Sequence, residues 1–166
     1  MDDSLSDEDE SDTDEDIDDN EHKNKSYIDF MDCFPVFHNL THIELNYGMH
    51  TDWIQVVEIL KRCPKLQILV IDKGPPCLYH EKWRRWSKPQ SVPKCISSHF
   101  TTCRINNYKG FEGEFQFASY IMQNARFLQT MAISCNSLVD EEEKFKMLKR
   151  LSLYTRRSAA CKLFFE

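Results

Sequence analysis

Four six-residue windows carry apolar residues at their first, fourth and sixth positions: Leu40-Thr-His-Ile43-Glu-Leu45, Leu66-Gln-Ile-Leu69-Val-Ile71, Phe100-Thr-Thr-Cys103-Arg-Ile105 and Leu128-Gln-Thr-Met131-Ala-Ile133. The fourth and sixth positions lie two residues apart, on one face of a strand. The windows start at residues 40, 66, 100 and 128. Those intervals lie near the leucine-rich-repeat range but are irregular. Cys161 to Phe165 reads as a last strand.

Helical periods lie between the windows. Trp53, Val56, Val57 and Leu60 follow the i, i+3, i+4, i+7 spacing, with Thr51 or Asp52 as N-cap and Cys63-Pro64 as the stop. Phe115, Ala118, Ile121, Met122 and Ala125 predict a helix over Glu112 to Asn124, after the turn from Gly110 to Gly113. Leu138 to Tyr154 predicts a third helix. Its acids, Asp140 and Glu141 to Glu143, sit near the positive end of the helix dipole, and Lys149 and Arg150 toward the negative end. The crossovers are long enough for parallel strands, and right-handed crossovers place the helices together. The expected fold is α/β: a leucine-rich-repeat-like parallel sheet with helices on one side and a C-terminal unit as cap. One repeat cannot bury its apolar face alone, so the unit at about residues 34 to 72 needs the next one.

Charge divides the chain differently. Of 166 residues with a formal net charge of -6, the first 22 hold 13 Asp and Glu and no Lys or Arg, which leaves the remaining body at +7. The expected organisation is an acidic disordered tail over residues 1–26, a repeat-like segment over 27–80 and a C-terminal domain over 83–166. Ser6, Ser11 and Thr13 stand among acids that would suit an acid-directed kinase, although runs of this kind usually stay solvated. The first 30 residues show no signal-peptide pattern, and no run of 18 apolar residues occurs. A soluble intracellular protein is expected, with no membrane partner. Seven Cys without a small-domain spacing pattern predict reduced thiols.

Candidate chemistry is sparse. Cys95-x3-His99-x3-Cys103, with Cys77-x2-His80 upstream, is the most metal-like spacing. Cys103 falls on an inward strand position, however, and no Cys-x2-Cys knuckle accompanies it, so no metal is expected. Trp83-Arg-Arg-Trp86 would stack on nucleic-acid bases, but four residues on a body of +7 without a known motif argue against that partner. No Cys stands in an activating context, and Gly48, Gly74, Gly110 and Gly113 form no phosphate loop. Neither catalytic residues nor cofactors are expected. Trp86, Pro89 and Pro93 read as a covering loop, with the indole as a packing anchor.

Trp86, Pro89, Val92, Pro93, Cys95, Ser97, Ser98 and His99, followed by Tyr108-Lys-Gly110, Glu114, Tyr120, Asn124-Ala125, Leu128 and Met131-Ala-Ile133, agree in order and spacing with one family. Over residues 83 to 165 the chain resembles the FBD domain of plant F-box proteins. The segment from Phe37 to Ile71, including Cys63-Pro64-x-Leu66, is similar to the leucine-rich repeats of the same proteins. The resemblance implies that Trp86, Pro89, Val92, Pro93, Cys95, His99, Tyr108, Gly110, Tyr120, Asn124, Ala125, Leu128 and Met131 serve the structure, and that the role is protein recognition at the substrate-selecting end of a ubiquitin ligase. It implies a protein partner or ubiquitination substrate. No Leu-Pro-rich F-box segment precedes Phe34, so a Skp adaptor is implied only where an F-box lies upstream. An F-box-less remnant is the other reading.

Overall fold

A computed structural model describes residues 34–46, 53–73 and 86–166. Residues 35–166 belong to one unit. The acidic tail, Thr51 and Asp52, the Cys77 and His80 pair and the stretch Trp83 to Arg85 lie outside the described residues.

The elements alternate along the chain. Strand β1 (His42–Asn46) precedes helix α1 (Trp53–Arg62); β2 (Ile68–Asp72) precedes α2 (Lys94–Ser98). Next come β3 (Thr102–Tyr108), α3 (Glu112–Asn124), β4 (Thr130–Cys135), α4 (Glu141–Ser152) and β5 (Lys162–Phe165). The strands form one parallel sheet in sequential order, β1-β2-β3-β4-β5. His42, Ile68, Thr102, Thr130 and Lys162 pair in one row across it, so the sequence interval between windows is also the register between strands.

This register has a simple chemical basis. Each regular strand starts two residues after the window's first apolar residue, because that residue turns inward while the chain is still entering the sheet. Leu66, Phe100 and Leu128 are fully buried there. The carbonyl that follows accepts two N–H donors from the next strand. Thr41 O takes Gln67 N and Ile68 N at 2.8 and 3.0 Å, Gln67 O takes Thr101 N and Thr102 N at 2.9 and 3.0 Å, and Thr101 O takes Gln129 N and Thr130 N at 2.8 and 3.1 Å. Gln129 O continues the series with Lys162 N at 2.9 Å.

The inward rows, Ile43-Leu69-Cys103-Met131-Leu163 and Leu45-Ile71-Ile105-Ile133-Phe165, meet the helices in a single core. Helix α1 buries Trp53, Val56, Val57 and Leu60 and ends before Pro64, whose ring cannot continue it. Central helix α3 contacts α1, α2 and α4, and it buries Phe115, Phe117, Ala118, Ile121 and Met122. The Trp53 ring stacks on Phe117 at 4.5 Å between centroids. Helix α4 is shorter than its apolar pattern suggested. Asn136 Oδ1 takes the Leu138 N–H at 3.0 Å in a turn, and Asp140 caps the helix by accepting from Glu143 N at 2.8 Å.

Helix α2 departs from the expected loop. Pro93 opens it with φ -52°, and the Ser97 and Ser98 hydroxyls donate back to Lys94 O at 3.0 and 2.6 Å. Its five residues are too few to show a helical period. Burial of Cys95 and Ile96 against the core is what places it.

Candidate interaction surface

Residues of opposite parity form the other face of the sheet. One row crosses all five strands as Glu44, Val70, Arg104, Ala132 and Phe164. Glu44 and Arg104 are exposed, Val70 is half-buried, Ala132 is buried and Phe164 is 47% exposed. The neighbouring row is His42, Ile68, Thr102, Thr130 and Lys162. Opposite charges, aliphatic surface and an accessible aromatic ring on a rigid sheet are the mixture found at protein interfaces. Beyond Asp72 the face ends in a polar clasp: Asn107 Nδ2 donates to Asp72 Oδ1 at 2.9 Å. Asn107 takes φ 57°, which an Asn side chain tolerates, at the irregularity between Ile105 and Tyr108.

A buried ion pair joins the end of β2 to the start of α3. Lys73, one residue past β2, meets the Glu114 carboxylate, and both side chains are almost entirely enclosed. Glu114 Oε2 also accepts the Lys109 and Phe111 N–H groups at 2.9 and 3.1 Å, half of a capping box at the start of α3. One carboxylate thus ties the end of β2, the β3–α3 turn and the first turn of α3 together. Burial and the nearby Lys109 charge push the Lys73 ammonium below its ordinary range, against the attraction of Glu114. Sequence reasoning placed Glu114 in a motif but missed this partner, because nothing local links residues 41 positions apart.

The residues singled out by the resemblance occupy varied places. Pro93, Cys95, Tyr108, Tyr120, Ala125, Leu128 and Met131 are buried. Trp86 is half-buried and packs against the core, leaning on Tyr120 and Phe117 with centroids 5.3 and 6.0 Å away. Pro89 is half-buried, and Val92 is exposed. Asn124 Nδ2 donates to Tyr120 O at 2.8 Å and satisfies a carbonyl near the helix end. Gly110 takes φ 77°, where a Cβ would come 2.5 Å from Met147 Cε.

Reactive groups do not converge among the described residues. Cys95 lies in the core and donates its thiol to Leu60 O at 3.3 Å; burial pushes its pKa up to about 12. Burial raises the Cys103 thiol further, and likewise those of Cys63, Cys135 and Cys161, the opposite of an activated nucleophile. His99 is exposed and shares a hydrogen bond with Ser98 Oγ at 2.7 Å, whereas Cys95 and Cys103 are buried. No group of three His, Cys, Asp or Glu suited to a metal occurs among the described residues. None of their helices is long and apolar enough to cross a membrane.

Fold and surface together define a one-sided parallel α/β sheet of repeating units with an open face. Residues 88–133 match the FBD family model. An FBD-associated F-box protein of Arabidopsis thaliana is 32% identical over 139 residues, spanning 81% of this chain and 32% of the relative. An F-box/FBD/LRR-repeat protein from the same plant is 30% identical over 130 residues, covering 78% of this chain and 30% of its own length. Another FBD-associated F-box protein is 35% identical over 133 residues, 71% of this chain and 31% of the relative. The chain is an FBD-domain protein of this plant F-box/FBD/leucine-rich-repeat family. It spans about a third of the length of these curated relatives. No solved structure matches it.

Proposed function

We propose that the chain is a non-enzymatic protein-interaction module whose open sheet face receives a partner, as at the substrate-selecting end of a ubiquitin-ligase subunit. The observation that carries this reading is the row Glu44-Val70-Arg104-Ala132-Phe164, which combines charge, apolar surface and an exposed ring on strands held from behind by a full core. Among the described residues, the raised thiol pKa values argue against a cysteine nucleophile. Within this reading, residues 27–80 act as the repeat-like part and 83–166 as the FBD part, and the motif residues from Trp86 to Met131 shape the fold beneath the surface. The family names of the relatives supply the ligase context.

The test is affinity capture from plant extract with the full chain, quantified by mass spectrometry. Phe164→Asp, on the open face, should lose the specific partner. Gln123→Glu, at an exposed position on α3, should retain it. Equal recovery with both variants would overturn the reading.

A further inference from the structure

The turns that lead from helices into strands form one rim of the sheet, and their charges are of one sign. Among the described residues the segments 35–41, 62–67, 98–101, 124–129 and 153–161 contain Arg62, Lys65, Arg126, Arg156 and Arg157 but no Asp or Glu. The opposite rim carries Asp72, Glu112 and Asp140 with Lys73 and Lys109. Helix dipoles account for only part of this contrast. Cations stabilise the last turn of a helix, yet four of the five lie beyond the helix ends. The C-termini of α1, α3 and α4 place about -0.5 charge each at this rim, which leaves it clearly positive.

The same turns expose apolar side chains. Phe127 is 48% exposed beside Arg126, whose guanidinium lies 5.6 Å from the ring centroid, and Leu153 is 77% exposed. Val36 and Phe37 are also exposed at the β1 end of the rim. The cations are held in place: Lys65 Nζ donates to Asn39 Oδ1 at 3.2 Å, and Arg156 Nη1 donates to Cys161 O at 3.0 Å. Four strand spacings give the rim a length of about 19 Å, the span of roughly six extended residues.

We propose that this rim docks an acidic peptide segment of a partner protein, one that interleaves carboxylates with apolar side chains. Carboxylates meet Lys65, Arg126 and Arg157, and apolar residues cover Phe127 and Leu153. Aliphatic Leu153 and Val36 favour such a peptide over nucleic acid, which would call for stacking rings with open faces. This surface is separate from the open face and goes beyond the function proposed for it.

The experiment is fluorescence anisotropy with the full chain and a labelled eight-residue peptide alternating Glu with Leu or Phe. Binding should weaken at least tenfold in the double variant Lys65→Glu, Arg126→Glu, should weaken several-fold as salt rises, and should be unchanged by Lys146→Glu at an exposed position on α4. The milder pair Lys65→Gln, Arg126→Gln gives the same direction if charge reversal impairs folding. Absence of peptide binding, binding indifferent to both double variants, or tighter retention of an oligouridylate or of phosphatidylserine vesicles would each overturn the proposal.

Discussion

Arg104 and Ile105 are neighbours on the central strand, yet one side chain faces solvent and the other is sealed under α3 and its companions. The whole sheet repeats this contrast. On the helix side, residues are apolar and, on the three central strands, closed to water; on the open side, charge, aliphatic residues and one exposed Phe share the surface. The first arrangement gives a rigid support, and the second is free to vary in chemistry without disturbing the core. Stability and recognition are therefore assigned to opposite faces of the same five strands.

The largest effect expected on the supporting side comes from the Lys73 and Glu114 pair. Glu114→Gln removes the buried carboxylate that meets the Lys73 ammonium and weakens the acceptor for Lys109 N and Phe111 N, so unfolding in urea should show a loss of about 3–5 kcal/mol. Replacing Lys73 by Met together with Glu114→Gln should recover much of it, since two apolar or neutral groups avoid the buried charge. Next, Ile105→Ala should cost about 2–4 kcal/mol because the cavity forms in the middle of the core. Trp86→Ala should cost less, about 1–3 kcal/mol, as its indole is only half-buried on Tyr120 and Phe117. On the open side, Arg104→Ala should shift stability by about 0.5 kcal/mol or less.

Alkaline pH probes the covered side collectively. Cys95 has its pKa raised from 9.0 in the unfolded chain to about 12 in the native protein. Between those values the unfolded state gives up its proton first, so stability falls as pH rises. Burial raises Cys103 and Tyr108 in the same direction. Lys73 opposes them at lower pH, where burial has depressed its native pKa, but its influence ends above 10.5, the value of the unfolded group. The urea midpoint should therefore drop between pH 10.5 and 12, and a flat midpoint over that range would contradict the burial of the thiols.

Much of the supporting face was legible in sequence because it rests on short-range periods. The fourth and sixth positions of each window give the two inward rows, and the intervals between windows became the register without adjustment. Helix α3 begins and ends where Gly110 and Asn124 indicated, since both signals are local backbone chemistry. Helix α2 was missed because a five-residue helix has no measurable period, and it forms through burial of Cys95 and Ile96. The Glu114 and Lys73 pair escaped for a related reason: it exists only once β2 and α3 are adjacent. The open face was legible as alternation alone. The same intervals align its residues into rows, but how far each one is exposed depends on packing that only the folded sheet supplies.

Site-specific photo-crosslinking tests the division of labour most directly. A photoreactive phenylalanine analogue at position 104 or 164, on the open face, should crosslink the captured partner, whereas the same group at position 123 or 149, at exposed sites on α3 and α4, should not. Crosslinks arising from 123 or 149 with none from 104 or 164 would contradict the account, because the partner would then sit on the face assigned to support.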